Sequence, residues 1–489
     1  MRRAEYGFWV LGCFLAAACG DDGVADGGES GSTSAATPTT LGTLSTSAVD
    51  EGSGSDGAGT TGGPATMGEP TTTDGSESDG SGSTGEPPPQ QTDCEALELL
   101  VASLRDDPVD GEAEIHTFFG DVAYGEHGFP MLDDDRMCFA YRDAVGVPIS
   151  VAGDFNAWEP DEHALEYAAE GFDLRYAIID RPADAGGLYK FVRANKTPEF
   201  FADPSARRFG WDEFGEYSRI APDATASHIE RWPAFDEAVG SLEPRDVTVY
   251  VPAGGFSEED LAVLYMHDGQ NLFSPEAFFG GWRAGAAMDA GIGDGSLPPT
   301  LIVAINNTAA RFDEYTHVED GIDGRVFGGR AQEYADFVVD GVKPFIDARY
   351  PTSRAVERTG VAGSSLGGLV SLYLGWRHPD VFGAASSMSG TLGWGSFELG
   401  NPVIADLFAD DPPEGLRLYV DSGGDGDPGC PGGGSDNYCD NVAFADTLRS
   451  LGWVDDADLR YVWQPGAPHN ELAWADRLPA MLSWFPGNL

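Results

Sequence analysis

The sequence predicts an α/β fold, a mainly parallel sheet with helices on both faces, preceded by a smaller β domain. Three observations carry this. Over 246–489, short apolar runs of buried type alternate with helical patterns. Over 94–225, still shorter alternating runs are separated by turn residues. Within the first of these regions, 358–369 reads as a strand, a sharp turn at Ser365 and a helix. Strands that are apolar on both faces and alternate with helices require a sheet covered on both sides.

Taken in order, residues 1–19 read as an export signal. Arg2 and Arg3 begin it, Tyr6 to Ala18 form an apolar core, and Ala16-Ala17-Ala18 precede Cys19. The core is short for a membrane span. The segment resembles a bacterial lipoprotein signal, which implies lipidation of Cys19 and, with Gly20 following, an outer-membrane or cell-surface location. Plain secretion with cleavage near Ala18, to the periplasm or beyond the cell, is the alternative.

Residues 20–93 are rich in Gly, Ser, Thr, Asp and Pro and have almost no large apolar residue, so they are expected to form a disordered tether. The formal net charge of -53 opposes contact with nucleic acid or an anionic membrane, leaving the lipid anchor as the only membrane link. With Cys13 removed and Cys19 lipidated, Cys94, Cys138, Cys430 and Cys439 remain. Four cysteines allow three pairings. Cys94–Cys138 and Cys430–Cys439 are favoured because each lies within one domain. Neither the cysteine spacing nor the acidic loop past residue 420 fits a zinc or calcium site, so no metal is expected.

The β domain, 94–225, contains runs such as Met137 to Tyr141, Pro148 to Ala152 and Leu188 to Val192. Its segments Val151 to Trp158, Tyr189-Lys190-Phe191 and Phe201-Ala202-Asp203-Pro204 resemble the early-set immunoglobulin-like modules of glycogen-branching enzymes and enterochelin esterases. That resemblance implies a β-sandwich. It matches Trp158 and Lys190 to positions that bind α-glucan in some modules, though packing on the catalytic partner is preferred here. Residues 226–245 are read as a connector.

Strands of the main sheet are expected at Asp246 to Val251, Leu261 to Met266, Thr300 to Ile305, Arg358 to Gly363, Phe382 to Met388, Leu416 to Val420 and Asp458 to Trp463. A helix is expected over Ala331 to Tyr350. The turn Gly363-x-Ser365-x-Gly367 lifts a serine hydroxyl out of the sheet and leaves the N–H of Leu366 facing a substrate oxygen. A base should follow the nucleophile in the chain. Only His378 and His469 do so. His378 ends the helix that Ser365 begins, so His469, just after the last strand, is the candidate. The acid should lie past Val420: Asp425 stands at the expected distance, Asp436 is second and Asp427 third. The second oxyanion donor is the N–H of Gln270, in His267-Asp268-Gly269-Gln270-Asn271, with His267 bracing that loop. Trp282, Arg311, Glu314, Tyr315 and Trp394 are loop residues that either line a cleft or pack.

Tyr265 to Phe273, Arg311 with Glu314-Tyr315, Gly363 to Leu369, His378 to Gly383 and His469-Asn470-Glu471 with Trp474 resemble the esterase D family, which includes enterochelin esterases. The resemblance covers about 245–489 and implies an α/β-hydrolase fold without a cofactor. It implies a serine carboxylic ester hydrolase with Ser365 as nucleophile, His469 as base and an aspartate, Asp425 first, as acid. The substrate implied is a small-molecule or glycan-linked ester. Acyl transfer on the same residues, or a non-catalytic glycan-binding surface lipoprotein, are the competing expectations.

Overall fold

In a computed structural model, the described residues are 92–144, 146–182, 186–221, 225–236, 242–255, 260–426, 430 and 435–485. The signal, Cys19, nearly all of the 20–93 segment and Asp427 lie outside them.

The N-terminal domain opens with two helices that the alternating runs did not predict. These are α1 (Asp93–Asp106) and α2 (Gly111–Tyr124). Helix α1 starts in a capping box, with the Thr92 hydroxyl accepting from the Glu95 N–H and the Glu95 carboxylate accepting from the Thr92 N–H. Cys94, Leu97, Val101 and Leu104 recur at helical spacing on its buried face. The disulfide Cys94–Cys138 ties this helix to the strand Arg136–Arg142. The strands that follow form a four-stranded antiparallel sheet and the far end of a much larger one.

Among the described residues the large sheet has 14 strands. Its C-terminal part is β1 (His228–Phe235), β2 (Arg245–Val251), β3 (Ala262–His267), β4 (Thr300–Ile305), β5 (Thr359–Ser364), β6 (Ala384–Met388), β7 (Arg417–Ser422) and β8 (Leu459–Trp463). The spatial order is β1-β2-β4-β3-β5-β6-β7-β8. Strands β3 to β8 pair in parallel, while β2 runs antiparallel to β1 and β4. The segment 226–245, expected to be only a connector, therefore supplies a strand. β1 pairs with β2 on one side and with Arg208–Asp212 of the N-terminal domain on the other.

Alternation within the strands sorts the core into two layers. Val263 and Tyr265 of β3 join Val249, Val303 and Val361 beneath the helical stretch 331–349 and helices α4 (Leu366–Arg377) and α5 (Tyr438–Leu451). Leu264 and Met266 point the other way, to α3 (Ala284–Asp294) and α6 (Glu471–Trp484). Period-two alternation gives each face its own apolar set, which is why the strands read as continuous apolar runs.

The polar residues matched to glycan contacts are held by the protein itself. Lys190 is buried and its Nζ donates to the Phe214 carbonyl at 2.8 Å. The indole N–H of Trp158 donates to Asp154 at 2.9 Å.

Candidate active site

Parallel strands deliver their following loops to one end of the sheet, and the loops after β3, β5, β6, β7 and β8 meet there. The turn after β5 is the sharpest. Ser365 has φ 57° and ψ -123°, a left-handed backbone that a non-glycine residue adopts only under constraint. Gly363 and Gly367 make it sterically feasible: a Cβ on Gly363 would lie 2.6 Å from the carbonyl carbon of Gly367. The turn is tied to the loop after β6. The Ser365 N–H donates to the Met388 carbonyl at 3.0 Å, and the Thr391 N–H donates to the Ser365 carbonyl at 3.0 Å. The Ser365 and Thr391 hydroxyls are 3.3 Å apart.

The loop after β3 abuts the same turn. Asp268, itself left-handed at φ 57°, sits so close that a Cβ on Gly367 would lie 3.1 Å from its Oδ2. Arg311 grips the Asp268 carboxylate with two N–H groups at 2.7 and 2.8 Å, and Asn307 adds a third at 2.6 Å. Burial alone would raise the Asp268 pKa, but the charge and hydrogen bonds of Arg311 hold it below its ordinary value. This clamp sets the path of Gly269-Gln270. The Gln270 side chain accepts from the Asn307 N–H at 3.3 Å. His267 braces the loop, as expected: it is buried, within 2.9 Å of the Tyr334 hydroxyl, and burial lowers its pKa to about 3.

His469 lies in the loop after β8, immediately before α6, where Asn470 caps the helix by accepting from the Ala473 N–H. Its Nδ1 is 2.6 Å from Oδ1 of Asp436, whose side chain is fully buried. The carboxylate beside His469 is thus Asp436 and not Asp425, which was placed first. Asp425 is exposed, and its N–H donates to the Ser435 hydroxyl at 3.2 Å. The Cys430–Cys439 disulfide closes the chain back on itself, and Asp436, left-handed at φ 58°, arrives from the turn before α5. Gly423 admits it: its N–H donates to Asp436 Oδ2, and a Cβ there would lie 2.6 Å from that oxygen. The Gly424 N–H donates to the Ala467 carbonyl and the Gly466 N–H to the Gly424 carbonyl, each at 2.8 Å, so the loops after β7 and β8 are laced together. His378 caps the opposite end of α4 from Ser365.

The loop after β6 also carries residues that the sequence reading did not single out. Ser389, fully buried with φ 47°, donates its hydroxyl to Asp436 Oδ2 at 2.6 Å. Arg477 and Asp421 complete the neighbourhood. Their signal was present but weak: Arg477 is a lone cation on the stripe Trp474, Leu478, Met481 of an otherwise apolar helix face.

The loop residues left open between lining and packing mostly pack. Trp282, Tyr315 and Trp394 are buried, and Glu314 accepts from both terminal nitrogens of Arg245 at 2.7 and 3.0 Å. Arg311 is partly exposed. Among the described residues no group of His, Cys, Asp and Glu has the arrangement of a metal site.

Residues 242–485 match the family model described as "Putative esterase". Among curated proteins, the uncharacterized protein YbbA of Bacillus subtilis strain 168 is 27% identical over 158 residues, which is 30% of this chain and 57% of that protein. The iron(III) salmochelin esterase of Escherichia coli O6:H1 is 28% identical over 188 residues, 36% of this chain and 41% of its own. The iron(III) enterobactin esterase of Escherichia coli K12 is 36% identical over 83 residues, 16% and 21% of the two chains. The chain thus spans 57%, 41% and 21% of the length of these relatives. Among solved structures, the enterobactin esterase of Shigella flexneri aligns over 73% of this chain and 96% of its own, at 20% identity and TM-score 0.39.

Proposed function

We propose, on the premise that residues 242–485 belong to an esterase family, that the protein is a carboxylic ester hydrolase working through Ser365. The observation that carries this reading is the strained Ser365 turn at the same sheet end as a histidine backed by a buried aspartate. His469, oriented by Asp436, takes the proton of the Ser365 hydroxyl as its oxygen attacks the ester carbonyl. The oxyanion is held by the N–H groups of Leu366 and Gln270. Collapse expels the alcohol, which receives the proton from His469. Water, activated by the same imidazole, then attacks the acyl-enzyme and frees the acid and Ser365. No residue in this sequence of steps calls for a cofactor.

The substrate is read as a small-molecule or glycan-linked ester. Treating the protein with a fluorophosphonate should add one adduct, on Ser365, and block hydrolysis of a panel of aryl, acetyl-sugar and catecholate esters. A panel left wholly uncleaved by protein that also takes no adduct would reject the reading. The N-terminal β domain is read as an early-set immunoglobulin-like module that packs rather than binds glycan, supported by the internal bonds of Lys190 and Trp158. The chain is read as exported and tethered through a lipidated Cys19. Mass spectrometry of the native N-terminus is expected to find acyl chains there; an unmodified N-terminus beyond Cys19 would make it a soluble secreted protein.

A further inference from the structure

Behind the carboxylate of Asp436 lies a second, wholly buried carboxylate that the proposed mechanism does not use. Asp421, at the end of β7, has a fully buried side chain. Its Oδ2 is 3.1 Å from Nε of Arg477 and accepts the Tyr419 hydroxyl at 3.1 Å, and its Oδ1 accepts the Ser389 N–H at 3.1 Å. The same guanidinium reaches Asp436: its Nη2 lies 3.6 Å from Oδ2 and donates to the Ser389 hydroxyl at 2.6 Å. Trp474 donates its indole N–H to that hydroxyl at 3.1 Å.

The direction of each bond is forced. Arg477 and the Trp474 indole only donate, so the Ser389 hydroxyl accepts from both and its one proton must go to Asp436. Asp436 therefore cannot rotate away from His469 without breaking Ser389, Gly423 and Arg477 contacts together. The charges matter as much as the geometry. A guanidinium this near would weaken the hold of Asp436 on an imidazolium, since a carboxylate already satisfied by one cation attracts a second less. Asp421 offsets it. Two carboxylates against one guanidinium leave one net negative charge behind the imidazole, in a region where burial strengthens such terms.

We infer that Asp421, acting through Arg477 and Ser389, is a positioning residue that fixes Asp436 and sets how strongly His469 holds a proton. The inference rests on the reading of Asp436 and His469 as the acid and base. Burial raises the Asp421 pKa to about 6 against the pull of Arg477, so the offset is present at neutral pH and fades below it. Further titratable groups face the pair from neighbouring elements. Glu471 faces His469 from α6, with Asp268 and Arg311 reaching Glu471 from the loops after β3 and β4. Tyr419 and Tyr461 face Asp421.

The test is an NMR titration of the His469 imidazole in the full chain, identified by its absence in His469→Gln. Asp421→Asn is close to isosteric and leaves Asp436 as the one carboxylate of the pair against Arg477. It should lower the His469 pKa by about half a unit or more. It should also move the acidic limb of the kcat/KM profile the same way, and lower kcat several-fold with little change in KM. Ser389→Ala removes one donor from Asp436 without touching a charge and should shift His469 upward. It carries the test by itself if the first variant does not fold. An unshifted His469 in a folded Asp421→Asn protein, or in Ser389→Ala when only that one folds, would overturn the inference. The titration needs no turnover. Shifts as stated in a protein that cleaves no ester would therefore uphold the coupling while rejecting the hydrolase reading, and cleavage without shifts would do the reverse.

Discussion

Replacing Ser365 with alanine should abolish hydrolysis of p-nitrophenyl acetate, by a factor on the order of a thousand or more in kcat, and leave the thermal midpoint unchanged. Alanine keeps the Cβ, so it inherits the same left-handed backbone at φ 57°. The bonds that hold the turn, Ser365 N–H to Met388 and Thr391 N–H to the Ser365 carbonyl, are backbone bonds that survive the change. Only the hydroxyl and its 3.3 Å approach to Thr391 are lost. Undiminished cleavage by the variant would remove Ser365 from the mechanism, whatever its geometry.

A loss of kcat on the order of a hundred-fold or more is expected for Asp436→Asn, with KM nearly unchanged. At about 1.36 kcal/mol per tenfold, that is about 3 kcal/mol of transition-state stabilisation. The amide can offer its oxygen to the His469 Nδ1–H, but without the charge that supports an imidazolium. Its nitrogen also faces the Ser389, Gly423 and Arg477 donors with no lone pair to give. Asp425→Asn should behave as wild type, since that side chain is exposed. Equal activity in both single variants would send the search to another carboxylate. A severe loss in Asp425→Asn alone would restore the order that strand spacing suggested.

The two aspartates show where sequence reading works and where it stops. Ser365 was legible because its requirements are local: two glycines, a strand before and a helix after, all within twelve residues. His469 was legible by chain order. Strands β3 to β7 were legible because burial on both faces leaves apolar runs such as Thr300–Ile305 unbroken, and β2 and β8, which are only partly buried, by their place in the strand–helix alternation. The carboxylate beside His469 was not, because distance past a strand predicts position only when the chain advances steadily. The disulfide loop between Cys430 and Cys439 breaks that assumption. Ser389 and Arg477 lie 88 residues apart and meet only after β6 and α6 are in place. Helix α1 had a readable start, Thr92-x-x-Glu95, hidden beside the low-complexity segment. Strand β1 is hard to read from sequence: Pro233, which has no N–H to give a ladder, falls at the irregularity between Trp232 and Phe235.

That misread strand separates ancestry from architecture. The segment that matches a family begins at residue 242, downstream of β1, yet β1 is hydrogen-bonded on one side to β2 and on the other to the N-terminal domain. A fragment cut at the family boundary would leave the outer edge of β2 bare, a row of unpaired N–H and C=O groups inviting a second chain. The two domains therefore do not behave as beads that can be exchanged at the join. The sheet runs through the join, and a cut placed at residue 242 falls inside one hydrogen-bonded sheet.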